Sequence, residues 1–360
     1  MERRALEIER ELPRPEWDAF AREHAWFWAT PAWHDFMARV SPDRDTTPQA
    51  LGVRDGDRLV AVAPFALERD PRSTRGALEM GLGGGPCWAP AVHRKLLSAD
   101  IGLVVGRAIE AIDTLAQESG VERTTLALSP LYAEPSLERH FSVETLRRGY
   151  ADHSLPTRVL DLERDEDVIW HDFTKGHRHA SRAAERIGEF TCSRSAEAFE
   201  AYRDLYVRAA GPMARPVAGF DLLARWLGEG DGVVALATVE GRARSAAYVL
   251  VSGNAAYYSW SATDPEWDKP ALGHALQWCI IRWLRARGVR LYELGLQHDR
   301  ALPYLVPTEK ERSIAKFKRG FGGYDATHVV RERFYSSERF EEVSVERDRA
   351  YRNALEAAVE

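Results

Sequence analysis

Cysteine is scarce. The chain of 360 residues has three, Cys87, Cys192 and Cys279, far apart and without Cys-x-x-Cys or Cys/His spacing. A disulfide framework or structural zinc site is not expected, and a reducing compartment fits. Long apolar runs are lacking too. A spanning helix needs about 18 or more apolar residues in a row. The longest greasy stretch, 274–284, is interrupted by Gln277 and Arg282 and reads as one buried helix. The opening Met1-Glu-Arg-Arg has no apolar signal-peptide core, so the expected location is cytoplasmic, with no transmembrane segment. Nor is there a basic excess: 49 Lys and Arg against 55 Asp and Glu give a net charge of −6. DNA is not an expected partner, and any polyanion must meet a local patch. No Ser-His-Asp or metal-ligand spacing stands out. The glycines at 83–85 lack the following Lys-Ser/Thr of a phosphate loop.

What is present is an ordinary globular composition, 45% apolar, at a length that favours two domains. In the second half, Ser193 or Ser195 caps a helix reaching about Ala210, with Phe199, Tyr202 and Tyr206 on one stripe. A second helix follows Gly219. The runs 233–239, 244–251 and 256–261 are separated by the turns Glu240-Gly241 and Gly253-Asn254, and read as three antiparallel strands. A long helix over 271–287 ends at Gly288. A strand over 290–294, a short basic helix over 314–319 and a strand over 328–335 complete the half. The first half has a hairpin around Asp55-Gly56-Asp57 and a helix over 99–118. That helix passes through Gly120-Val121 into a strand over 124–128, as the later one passes through Gly288-Val289. This parallel predicts an internal duplication with its boundary near 152–156.

Three clusters could carry chemistry. On a helix, Lys175, Arg178 and Arg182 share a face. They could clamp phosphates, or form a solvated surface with Glu185. In the run 313–323, Lys316, Lys318 and Arg319 crowd around Phe317 and Phe321, before glycines that permit close approach. Such cations suit an oxyanion or a phosphate, or the exposed face of an amphipathic helix. At the start of the long helix, Gly273 and Ala275 fit a loop whose N–H groups would hold the pyrophosphate of coenzyme A. Pro270 stands where Arg or Gln would complete that loop. His298 is a candidate general base near a strand end, beside Gln297. Tyr257, Tyr258 and Trp260 could line an acyl pocket, although only one parity faces any cleft.

The helix–helix–three-strand–helix–strand order resembles the GNAT acyltransferase fold. The stretch with Lys175, Arg178 and Arg182, the run from Tyr258 to the Pro270 helix, and above all Ile-Ala-Lys-Phe-Lys-Arg-Gly-Phe-Gly-Gly at 314–323 resemble the Fem/Mur-like, peptidoglycan bridge-forming aminoacyltransferases. These fall within the BioF2-like GNAT superfamily. The resemblance implies an α/β (α+β) protein of two tandem GNAT-like domains, each a mixed, mostly antiparallel sheet flanked by helices. The expected spans are 1–155, 156–345 carrying the transferase motifs, and a helical tail over 346–360. It further implies transfer of an aminoacyl group from aminoacyl-tRNA, a co-substrate rather than a bound cofactor, to an amine. That amine would belong to a cell-wall precursor or another peptide or small molecule. Lys318 would steady the reacting carbonyl, and His298 could take the amine's proton. Lys175, Arg178, Arg182, Tyr258, Trp260, Gln297, Lys316, Phe317 and Arg319 would bind substrate. The helical hairpin that many members insert in the second domain has no room here, which weighs against an interpeptide-bridge role. Peripheral membrane contact would follow only from a lipid-linked acceptor. The competing expectations are an acyl-coenzyme-A- or carrier-dependent N-acyltransferase, using Gly273 and Ala275, and a non-catalytic binding protein on the same fold.

Overall fold

A computed structural model describes residues 6–41, 43–73, 76–131, 135–211, 217–267 and 271–357. Lys269 and Pro270 therefore lie outside the described residues. The contacts divide the chain into two compact units. Unit one is 1–155 with 300–306 and 327–360, and unit two is 156–299 with 307–326. The first division falls at 155/156. Residues 327–360, expected with the second half and as a tail, group instead with unit one.

Unit one opens with β1 (Leu6–Glu9), α1 (Arg14–His24), α2 (Pro31–Val40), β2 (Thr47–Asp55) and β3 (Arg58–Arg69). Three short strands follow, β4 (Leu78–Met80), β5 (Cys87–Trp88) and β6 (Ala91–Val92). Then come α3 (Ser98–Glu118), β7 (Arg123–Leu128), α4 (Pro135–Arg147) and β8 (Ala151–Asp152). Unit two supplies β9 (Leu155–Asp161), α5 (Glu166–Asp172), α6 (Lys175–Glu185), β10 (Glu189–Ser193), α7 (Ala196–Ala210) and α8 (Val217–Glu229). It continues with β11 (Gly232–Val239), β12 (Arg242–Ser252), β13 (Ala255–Thr263), α9 (Gly273–Arg285), β14 (Leu291–Leu296) and α10 (Glu309–Arg319). The chain ends in β15 (Tyr324–Phe334) and α11 (Ser337–Glu356).

Each unit is a mixed sheet with helices on it. In unit one the strands run β1-β2-β3-β4-β7-β15, antiparallel except for the parallel β4–β7 pair. β15 explains the regrouping of the last residues, because Val329–Phe334 pair with Arg123–Leu128 of β7. The α11 side chain of Arg339 is buried and donates to Glu79 at 2.9 and 2.7 Å, and to Asp70. Truncating at 326 would thus remove a strand and a buried cation from unit one.

In unit two the order is β10-β11-β12-β13-β14-β9, with only β13–β14 parallel. The β11–β12 turn places Glu240 and Gly241 at φ 52 and 73, the two positive values of the hairpin turn that suits strand twist. Both units repeat one joint. α3 passes through Gly120 (φ 70) and buried Val121 to β7, and α9 through Gly288 (φ 74) and buried Val289 to β14. The core of unit two packs Leu276, Ile280, Ile281 and Leu284 of α9 on Val233, Ala235, Ala247 and Val249. Among the described residues no helix is long and apolar enough to cross a membrane.

Candidate active site

The site of unit two begins with a departure from regular pairing. β13 and β14 pair over three positions only, Ala255–Tyr257 with Leu291–Glu293. Past that point β13 stays with β12 and β14 with β9. Each strand has an irregularity where they part. One lies between Glu293 and Gly295 in β14, the other opposite Tyr248/Val249, which leaves Ser259 unmatched in β13. A bulge bends and twists its strand, so the two strands leave backbone groups open between them.

Gly295 is the turning residue, at φ 95. A Cβ there would lie 2.9 Å from Lys318 Nζ and 3.3 Å from Tyr257 Oη, so both tips meet over this one glycine. Lys318 Nζ donates to the Leu296 carbonyl at 3.3 Å. Burial pushes its pKa down from the usual lysine value, the nearby Glu293 carboxylate opposes the shift, and the result is about 8. Glu293 is itself buried and accepts from Thr157 Oγ1 at 2.7 Å. Burial, then Glu293, pushes the Tyr257 phenol up, so it stays neutral and remains a donor. Gln297 is buried and donates from Nε2 to the Gly295 carbonyl at 3.3 Å. Its Oε1 is buried without a protein donor among the described residues. Lys318, Gln297, Tyr257 and Glu293 thus surround one bulge.

The position of Lys318 depends on the end of α10. Thr308 and Glu311 start that helix with a reciprocal capping box. At its end His177 Nε2 meets the Phe317 carbonyl at 2.9 Å, and Thr174 Oγ1 lies 3.0 Å from Nδ1. A carbonyl only accepts, so Nε2 carries the proton and Nδ1 accepts from Thr174. Burial lowers the His177 pKa, against the opposing Phe317 carbonyl, which keeps this tautomer neutral. Gly320 is needed here, since a Cβ would lie 2.0 Å from the His177 ring.

The other expected residues scatter. His298 Nδ1 lies 3.5 Å from Glu311 in the first turn of α10. Glu311 and Lys318 are seven residues apart, about 10 Å along a helix axis, so His298 is anchored two turns from Lys318. Arg319 pairs with Asp299 at 2.6 Å, and Lys316 is exposed. The Phe317 ring packs edge-on against His274 and Phe321, and lies 3.5 Å from where a Gly273 Cβ would be. Ala275 is buried in the core, so only its backbone could meet a ligand. Tyr258, expected in a substrate pocket, packs on that same core. Adjacent strand residues face opposite ways, which is why Tyr257 reaches Gly295 instead. Trp260 lies 6.1 Å from Tyr248. Lys175 is exposed at the start of α6. Arg178 is occupied by the carbonyls of His171, at 2.8 Å, and Phe173, and Arg182 lies over Trp170 at 5.6 Å. The shared cationic face of α6 is therefore partly spent on fastening α5 to α6.

Sequence reasoning passed over Glu293, Gly295, Thr157 and His177. Glu293 was a lone acid in the otherwise apolar Leu-Tyr-Glu-Leu-Gly-Leu strand, and Gly295 a glycine within it. Both are signals of a bulge or a close approach.

Residues 171–304 match the model described as "Acetyltransferase (GNAT) domain". Over these residues unit two is similar to a GNAT acyltransferase domain. No curated protein matches the chain. Among solved structures, FemX is similar at 12% identity and a TM-score of 0.71, over 94% of this chain and 100% of that one. L-PGS from Bacillus licheniformis is similar at 14% identity and 0.60, over 96% and 99%. A tandem GNAT protein from the clavulanic acid biosynthesis pathway is similar at 15% identity and 0.50, over 92% and 99%. At these identities the likeness is one of fold, spanning nearly the whole chain.

Proposed function

We propose that this acyltransferase moves an aminoacyl group from aminoacyl-tRNA to an amine acceptor, with the reacting carbonyl held at the β13–β14 opening beside Lys318. The observation that carries the reading is the half-buried Lys318 ammonium over Gly295, with the neutral Tyr257 hydroxyl at the same point. An aminoacyl ester is already activated, so the enzyme's task is to position the amine and stabilise charge. The amine nitrogen bonds to the carbonyl carbon and the carbonyl oxygen becomes an oxyanion. The bond to the ribose oxygen then breaks, and that oxygen ends with the proton the amine gives up. With a pKa of about 8, Lys318 is mostly protonated at neutral pH and supplies positive charge to the oxyanion. The exposed Lys175 at the start of α6, with Lys316 on α10, offers cations for tRNA phosphates. A peptide amine, as in a cell-wall precursor, is the acceptor class we favour, and the cytoplasm the place.

One observation favours a second donor. The matched model is an acetyltransferase domain, and Gly273 begins α9, where first-turn N–H groups lack helix acceptors. An acyl-coenzyme A could use them. The test offers labelled charged tRNAs and labelled acetyl-coenzyme A in parallel to a panel of amine acceptors. Transfer from tRNA that is lost in Lys318→Met supports the proposal. Transfer only from the thioester replaces it with coenzyme-A-dependent acylation. No transfer from either would favour a binding role.

A further inference from the structure

A different face of α9 holds a pair of thiols that the transfer reaction does not use. Cys279 lies in the second turn of α9, and Cys192 on the edge strand β10 beneath it. Their sulfurs are 3.7 Å apart, although 87 residues separate them in sequence. Both are partly exposed, whereas Cys87 is buried. Cys279 lines a cavity of about 500 Å³ with Glu166, Glu185, Phe190, Arg282 and Trp283.

We propose that Cys279 and Cys192 form a peroxide-reactive dithiol, in which Cys279 is the attacking sulfur and Cys192 the resolving one. Three observations assign the roles. Cys279 opens on the cavity through which a small hydroperoxide can reach it. Arg282 lies one turn further along the same helix, where its charge favours a thiolate. The Cys192 thiol can donate to Cys279, which favours a thiolate there, while burial opposes it. Glu185 also opposes the Cys279 thiolate, Glu166, which pairs with Arg282 at 3.2 Å, tempers the Arg282 charge, and Arg287 acts on Cys192 as Arg282 acts on Cys279. Cys87, by contrast, is pushed up to about 12 by burial and stays a thiol.

The chemistry balances with hydrogen peroxide as the only oxidant. The Cys279 thiolate attacks one peroxide oxygen, the S–O bond forms, the O–O bond breaks, and the leaving hydroxide takes a proton to become water. The Cys192 sulfur then attacks the sulfur of the sulfenic acid. The S–S bond forms, the S–O bond breaks, and the departing oxygen takes the Cys192 proton as a second water. Two thiols are oxidised and one peroxide is reduced to two waters. The sulfurs must close by about 1.7 Å to reach bonding distance. The bridge would tie β10 to α9, and in a reducing compartment it would be transient.

The test treats the reduced full-length chain with hydrogen peroxide and reads thiols, intact mass and peptides, so it is independent of any transferase assay. The expected result is loss of two thiols and two hydrogens of mass, a cross-linked peptide joining 192 to 279, and reversal by dithiothreitol. In Cys192→Ser, dimedone should trap a sulfenic acid on Cys279, while in Cys279→Ser the same dose should leave Cys192 unlabelled. The labelling rate should rise with pH through a midpoint below that of an ordinary thiol. Unchanged mass, a bridge to Cys87, or equal labelling of Cys192 and Cys279 in the two variants would overturn the proposal.

Discussion

Lys318 carries the largest consequence at the scale of single residues. Lys318→Met should lower turnover by about 10²–10³-fold, the usual cost of losing one preorganised oxyanion donor, and steady-state kinetics with the labelled donor checks it. The same variant tests burial. The pKa of Lys318 falls from 10.5 to about 8 on folding. Between those values the unfolded chain binds more protons than the folded one, so this residue's contribution to stability rises with pH there. Lys318→Met should therefore melt at or above the wild-type temperature at pH 7, and the gap should narrow as pH rises from 8 to 10.5. A thermal melt series reads it, and a variant that melts well below wild type at pH 7 would show that the ammonium is a structural anchor instead. Gly295 makes the complementary case. Gly295→Ala forces a side chain into φ 95 and against Lys318 Nζ, and should cost about a hundredfold in kcat through misplacement.

Elements explain why those residues meet. α10 delivers Lys318 because a capping box fixes one end and His177 the other. Gly320→Ala, which drives a Cβ into the His177 ring, should destabilise unit two by about 1–3 kcal/mol, measurable by urea unfolding. Much of this was legible in the sequence. The three strands around Glu240-Gly241 and Gly253-Asn254, the long helix ending at Gly288, and the Phe-Lys pair all stand where periodicity and turn residues put them. The basic helix begins earlier than expected, at Glu309, because the Thr308/Glu311 cap outweighs the weak apolar pattern before Ile314. The site itself was less legible. A bulge shifts side-chain parity, and only a lone acid and a glycine in the 291–296 strand mark this one, so Tyr258 stands out over Tyr257 in the sequence. Arg178 looked available because spacing reports a shared helix face, not the carbonyls of His171 and Phe173 that occupy it.

On the scale of the whole molecule, the two units are interleaved in sequence. Unit one depends on its last segment for β15 and for Arg339, which is buried between Asp70 and Glu79. Arg339→Met would take one cation from Asp70, which keeps Arg44 and Arg72, and from Glu79, which keeps Arg123, at a cost of about 1.5–3 kcal/mol, and calorimetry should show the unit-one transition falling alone. Burial pushes the Asp70 carboxyl up, but Arg72 hydrogen bonds and the Arg72 and Arg44 charges bring it down to about 2. Its contribution is present above its ordinary value of 3.8 and is lost as pH falls through 2. Acid titration of the same transition checks that sign.

The interleaving also bears on synthesis. Domains usually mature in the order in which they leave the ribosome, but here the first 155 residues still lack a strand and a buried cation when unit two's last residue, 326, has been made. At about 5–20 residues per second, the 184 residues from 156 to Arg339 take about 10–40 s. Unit two, made later, is therefore the first to be complete. The nascent N-terminal half waits with the edge of β7 unpaired, an exposed template on which a chaperone, or a neighbouring chain, has time to act.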